Sequence, residues 1–108
     1  MIEERYRKQV LFDPIGREGR RGISTASAVV VGCGAVGGTV AASLTRAGIG
    51  ELRIIDRDFV QWQNLHRQPL FNEDHAQKQL PKAVAAAKTL GSINSEVKLD
   101  PRVEDRRS

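Results

Sequence analysis

The stretch "ASAVVVGCGAVGGTVAASL", Ala26 to Leu44, constrains this chain most. A β-branched apolar run from Ala26 to Gly32 stops at a glycine and reads as a short strand buried on both faces. The apolar period then changes. Val36, Val40, Ala41, Leu44 and Ala47 recur at three and four residues, which predicts a helix over 35–47 with Gly48 as its stop. Between strand and helix lies "GCGAVG", residues 32–37, a G-x-G-x-x-G turn. Its first glycine permits the tight turn, its second lets backbone N–H groups approach a phosphate, and its third allows close helix–strand packing. The helix N-terminus adds a field that favours anions. Gly32, Gly34, Ala35 and Gly37 are therefore the first candidate nucleotide-binding residues.

The alternation then repeats. "GELRIID", Gly50 to Asp56, is a second short strand, and its terminal acid, Asp56, is placed to accept ribose hydroxyls. A loop follows, in which Trp62 is expected to pack or cap rather than stack on a base. Pro81 opens a helix, "PKAVAAAKTL", with Gly91 at its exit. "SEVKLD", residues 95–100, alternates Val97 and Leu99 and reads as a third strand. The expected fold is α/β: a Rossmann-like βαβαβ half of a doubly wound parallel sheet, in strand order 3-2-1.

In a complete sheet of that kind the first strand is central. No fourth strand is legible here, so strand one would leave an apolar edge open. The chain is expected to be half a domain, either a fragment or a protein with an obligate partner. Residues 1–25 are polar, with Leu11, Phe12, Ile15 and Ile23 as anchors, and the glycines of "PIGREGRRGIS" allow only short helices. The expected organisation is an N-terminal helical arm (1–25), a nucleotide-binding half-domain (26–100) and a charged tail (101–108).

Length and composition fit this. A chain of 108 residues, 40% apolar and 28% charged, suits one small soluble domain. The net charge of +4 favours anionic partners without choosing among them. Arg17, Arg20, Arg21, Arg102, Arg106 and Arg107 have no interleaved aromatics and read as a solvated face, not a nucleic-acid surface. Cys33 is the single cysteine. It excludes an internal disulfide, suggests a reducing compartment, and reads as a small filler of the turn more than as a reactive thiol. His66 and His75 lack companions at zinc-ligand spacing. No apolar run approaches the ~20 residues of a membrane span, and "MIEERYRKQ" is too charged for a secretory signal. A cytoplasmic protein without membrane or nucleic-acid contact is expected.

The glycine turn serves NAD and ATP alike, so the residues after it must decide. Asp56 and Asp58 alternate along an extended segment, Asn64, Arg67 and Gln68 cluster within five positions, and Lys82 stands at a helix start. Two cations arriving at a phosphate turn suit a triphosphate better than a nicotinamide. Arg67 offers a planar fork for phosphate oxygens, and Lys82 a compact point charge.

These residues carry a resemblance. "RYRKQ" at 5–9, "GCGAVG" at 32–37, "DRD" at 56–58, "NLHRQ" at 64–68 and "LPKA" at 80–83 are similar to motifs of the ThiF/MoeB/HesA adenylyltransferases, bacterial relatives of ubiquitin-activating enzymes. The resemblance runs from about Arg5 to Asp100. It implies use of ATP and Mg²⁺ to adenylate the C-terminal Gly-Gly carboxylate of a ubiquitin-like sulfur-carrier protein, in a homodimer. Carried over, Gly34 and Ala35 contact the nucleotide and Asp56 the ribose. Asn64 and Arg67 hold phosphates, with Gln68 beside them, and Lys82 neutralises charge near the α-phosphate. In the family an N-terminal arginine reaches the neighbouring subunit's phosphates; here Lys8 holds that position, with the charge but without the fork. The metal-binding aspartate and the carrier-binding surface belong to the family's second half, so this chain alone is expected to turn over little or not at all. Two other readings stay open: a non-catalytic nucleotide-binding or dimerisation module, and part of an NAD-dependent dehydrogenase.

Overall fold

The computed structural model describes residues 22–104. The expected N-terminal arm, with Lys8, falls outside them except for a helical turn at 22–25. The elements that follow are β1 (Ser27–Val31), α1 (Ala35–Ala47), β2 (Glu51–Ile55), a 3₁₀ turn (Trp62–Asn64), α2 (Glu73–Gln77), α3 (Lys82–Ile93) and β3 (Lys98–Arg102). The strands form one parallel sheet in the order β1-β2-β3. This is the expected half-sheet. Ser27 pairs with Glu51 and Val31 with Ile55, while Glu51 pairs with Lys98 and Ile55 with Arg102.

Both crossovers are helical and land on one face of the sheet, where α1 and α3 touch each other and the strands. That placement follows from chain order, because two successive right-handed crossovers in the same direction cover the same side. Under the helices, β1 contributes Val30 and β2 contributes Leu52 and Ile54, the latter two fully buried. Burying side chains of that size is worth about 1.5–3 kcal/mol each. The helices answer with small residues, Ala41 from α1 and Ala83, Ala85 and Ala86 from α3, with Leu90 filling the far end. The β-branched run of β1 is therefore not buried on both faces as the sequence predicts. Val29 and Val31 point away from the helices and are 55% and 53% exposed. An apolar run implies two covers, and in the described residues only one is present.

Two boundaries differ from the sequence reading, each because a side chain outweighs a local signal. α3 does not leave at Gly91 but continues to Ile93. Gly91 faces Leu99, whose Cδ1 would lie 3.7 Å from a Cβ there. The helix stops instead at Asn94, whose N–H donates to the Leu90 carbonyl (3.0 Å). Its Nδ2 donates to the Thr45 carbonyl (3.0 Å), and its Oδ1 accepts from the Glu96 N–H (3.1 Å). This buried carboxamide ties the end of α3 to the end of α1. The third strand begins at Lys98 and runs through Pro101 to Arg102 rather than spanning 95–100. Proline fits there because β3 is the last strand of the described sheet, and a residue facing the free edge needs no N–H.

α2 was not legible in the sequence. It begins with a reciprocal cap, in which Asn72 Oδ1 accepts from the His75 N–H (2.9 Å) and His75 Nδ1 accepts from the Asn72 N–H (3.2 Å). The usual box carries Glu or Gln at that third position; histidine performs the same task here and hides the signature. Burial pushes the His75 pKa below its ordinary 6.5, with help from Lys88 and Lys78 against the opposing charge of Asp74. The ring is thereby kept in the neutral state that can accept.

Candidate nucleotide-binding site

The site is built where β1 ends. Gly32 adopts φ +84°, the left-handed region that favours glycine. A Cβ on Gly37 would collide with the Gly32 carbonyl, so the turn and the first turn of α1 close directly on each other. α1 starts at Gly34 with no side-chain cap and no acid in its first turn. Helix N-terminal N–H groups need a partner from somewhere, and an uncapped helix opening on a glycine turn suits an anion.

Asp56 stands at the end of β2 and braces this turn. Its Oδ2 accepts from the Cys33 N–H (3.0 Å) and from the Cys33 thiol (3.3 Å), and its Oδ1 accepts from the Asp58 N–H (2.8 Å). A carboxylate has about four lone-pair sites, so the three bonds leave room for roughly one more donor. The sequence gives Asp56 a ribose-binding role and misses this bracing. The signal that could have found it is the x position of the turn, where Cys33 combines a backbone donor with a thiol donor. Cys33 is fully buried. Burial above all, then the Asp56 charge and hydrogen bond, push its thiol far above the usual range, while Lys82 acts the other way. A thiol so held is no nucleophile at neutral pH. Cys33 is a structural filler, as its position suggests.

Lys82 opens α3 and is nine-tenths buried. Its N–H donates to the Asp58 carbonyl (2.8 Å), beside an antiparallel bridge between Phe59 and Pro81. That bridge carries the start of α3 to the ends of β1 and β2, and the Lys82 charge is felt at Cys33. Gln68, also buried, lies against Gly34. The structure thus gathers the glycine turn, Asp56, Gln68 and Lys82.

It does not gather every candidate equally. The Asp58 side chain is exposed and lies 4.0 Å from Arg57. Arg67 is exposed, on the turn that follows Asn64. Asn64 is buried and works for the backbone: its Oδ1 accepts from the Gln61 N–H (2.9 Å), and its carbonyl accepts from the N–H groups of Arg67 (3.2 Å) and Gln68 (2.9 Å). Asn64 thereby sets where both of those side chains begin. Trp62, expected to pack, is 59% exposed, because the 3₁₀ turn directs Asn64 inward and leaves Trp62 outside. With Phe59, Gln61, Gln63, Gln77 and Gln79 it borders a separate open groove of about 700 Å³. Among the described residues, no group of three or more His, Cys, Asp or Glu side chains could hold a metal ion. No helix there is long and apolar enough to cross a membrane.

Comparison with known proteins agrees with this geometry. The ThiF family pattern matches residues 6–107. The chain is 48% identical over 101 residues to the sulfur carrier protein ThiS adenylyltransferase of Bacillus subtilis, covering 94% of this chain but 30% of that protein. It is 36% identical over 97 residues to the sulfur carrier protein adenylyltransferase of Thermus thermophilus, covering 90% of this chain and 35% of that one. Among solved structures, E. coli MccB crystallised with ATP superposes with a TM-score of 0.81 at 30% identity, over 96% of this chain and 32% of the other. The chain therefore spans about a third of the length of these relatives. A parallel half-sheet, a glycine turn braced by an acid, a buried lysine beside it and a family pattern running nearly end to end lead to one conclusion: this chain belongs to the ThiF family.

Proposed function

We propose that this chain carries the phosphate-binding part of an ATP-dependent adenylyltransferase that activates the C-terminal carboxylate of a ubiquitin-like sulfur-carrier protein. The observation that carries the reading is an uncapped helix N-terminus at the glycine turn, with buried Lys82 near enough for its charge to act on Cys33 in that turn. A lysine charge near the N-terminus of a helix without a side-chain cap favours an anion. The turn residues Gly32, Gly34, Ala35 and Gly37 receive phosphate, and Asp56 takes a ribose hydroxyl on its remaining lone pair. Lys82 and Arg67 oppose the charge that grows as the carrier carboxylate attacks the α-phosphorus. An O–P bond forms, the α–β bridging bond breaks, and pyrophosphate leaves with its electron pair. Asn64 and Gln68 fix the approach, and Asp58 shapes the entry to α3 through its carbonyl. In a homodimer, Lys8 adds a cation from the neighbouring subunit. Positioning and charge stabilisation of this kind are what such transfers require of a protein.

Mg²⁺ would compensate the triphosphate charge, held mainly by phosphate oxygens and water with the carboxylate that the resemblance assigns to the family's second half. A cytoplasmic setting accompanies this reading. The ligand crevice of a doubly wound sheet lies where strand order reverses, on the side of β1 that is open here.

A test is ATP–pyrophosphate exchange with a Gly-Gly-ended carrier, using this chain with and without the remaining portion of a family member. Exchange that depends on the supplied portion is expected. No exchange in either case would sink the enzyme reading. A second reading, a non-catalytic nucleotide-binding or dimerisation module, draws on the half-exposed Val29 and Val31; saturable ATP binding without exchange would favour it.

A further inference from the structure

His75 caps α2, but it also stands at a junction between two parts of the nucleotide site. Downstream, the His75 carbonyl accepts from the Leu80 N–H (3.1 Å), and the Leu80 carbonyl accepts from the Val60 N–H (2.8 Å). The next residue, Pro81, bridges to Phe59, and the Lys82 N–H donates to the Asp58 carbonyl (2.8 Å). Upstream, the His75 ring meets Phe71 edge to face, with centroids 6.5 Å apart and planes at 81°. The Phe71 N–H donates to the Gln68 carbonyl (3.4 Å), and the Gln68 N–H to the Asn64 carbonyl (2.9 Å). α2 thus joins the turn that carries Arg67 to the residue that opens α3.

The link to Lys82 includes an unfavourable step. Gln79 takes φ +53°, a left-handed conformation that a residue with a Cβ seldom adopts. Such a conformation persists only where its surroundings over-determine it. Here the Gln79 N–H donates to the Ala76 carbonyl (3.1 Å), and the Lys78 N–H to the Asp74 carbonyl (3.0 Å). Both bonds belong to the helical turn that the cap starts.

The cap depends on charge. His75 Nδ1 accepts from the Asn72 N–H (3.2 Å), and the His75 N–H donates to Asn72 Oδ1 (2.9 Å). A neutral imidazole can accept in this way, whereas an imidazolium carries a proton on both nitrogens and only donates. Protonation therefore sets donor against donor and removes half of the box. The neighbours do not compensate a cation on this buried ring. Asp74 and Lys78 of α2 pair with each other (3.1 Å), and Lys88 of α3 adds a positive charge. The 3₁₀ turn packed against α2 holds only Trp62, Gln63 and Asn64.

We infer that His75 is a positioning residue for Lys82: its neutral ring holds α2 as a clamp between the Arg67 turn and the start of α3, and protonation loosens both the clamp and the grip on nucleotide. The inference rests on the nucleotide-binding reading above and adds a pH dependence to it.

ATP titrations of wild type and His75→Gln between about pH 7.5 and 5.5 test it. Glutamine suits the third position of a capping box without titrating, and protonation of ATP itself affects both proteins alike. The ratio of wild-type to variant affinity should fall by about fivefold or more across that range, the lower end of coupling between linked sites. In wild type alone, protection of the Leu80 and Lys82 amides against hydrogen exchange should fall on acidification while that of the β2 amides holds. Parallel affinity profiles in the two proteins overturn the inference, as do Leu80 and Lys82 amides that open only together with β2. Wild type that binds no ATP at the upper pH sinks the nucleotide reading and the positioning role together. ATP binding with parallel profiles sinks the positioning role alone.

Discussion

At the scale of single residues, the chemistry of the turn depends on what surrounds each group more than on its type. Cys33 and Asp56 illustrate this, since each fixes the other. The thiol and backbone N–H of Cys33 both donate to one carboxylate oxygen, and burial keeps the thiol protonated. Native Cys33 should therefore resist an alkylating reagent at pH 8, while urea-unfolded chain reacts fully. Rapid native alkylation would contradict this arrangement. Asp56→Ala removes the acceptor for two backbone N–H groups, Cys33 and Asp58. It should lower stability in urea melts by roughly 2 kcal/mol or more, apart from any effect on ligand. That structural share has to be measured before loss of ATP binding in such a variant is credited to the ribose.

At the scale of elements, α2 and α3 end and begin on side chains, and this separates what was legible from what was not. β1, α1 and β2 could be read because glycines and apolar periods mark them. The positions of the turn and of Asp56 were legible because they sit at the ends of those elements, and that of Lys82 because Pro81 marks the start of α3. α2 was hidden because His75 replaces the expected Glu or Gln of its capping box. The end of α3 was hidden because Gly91 looks like a stop, whereas Asn94 is one.

Each has a consequence. His75 titrates below its ordinary 6.5 in the folded chain, so above that pH both folded and unfolded forms are neutral and stability is complete. As pH falls through 6.5 the unfolded chain takes up the proton first, and stability is lost progressively towards the lower folded value. A His75→Gln variant should lose this acid sensitivity below pH 6.5 in pH-dependent melts; an unchanged profile would contradict the assignment. Asn94→Leu should cost about 1–3 kcal/mol in urea melts, because the Glu96 N–H loses its acceptor and the Thr45 carbonyl keeps only the Gly48 N–H.

At the scale of the whole molecule the sheet is asymmetric. One face is covered by α1 and α3. The other carries Val29 and Val31 on β1, and the Arg53–Asp100–Arg102 ion pairs across β2 and β3. The β-branched run of β1 pointed to a strand wanting cover on both faces, and among the described residues β1 is an edge of the sheet. It could not show which face stays open, because both faces of β1 carry valine and only crossover handedness distinguishes them. Ile54→Ala, on the covered face, should therefore cost 2–5 kcal/mol by order of magnitude. Val29→Ala on the open face should cost less than about 1. Similar losses in urea melts would mean that the open face is covered in solution.

The central claim is that the glycine turn, with Lys82 beside it, binds the phosphates of ATP. Calorimetric titration of the chain with ATP and with NAD, in wild type and Lys82→Ala, tests it most directly. The account predicts saturable ATP binding, weaker binding of NAD, and at least about a tenfold loss of ATP affinity in Lys82→Ala, as for a lost charge-assisted contact. NAD binding as tight as ATP, or ATP affinity indifferent to Lys82, would contradict it.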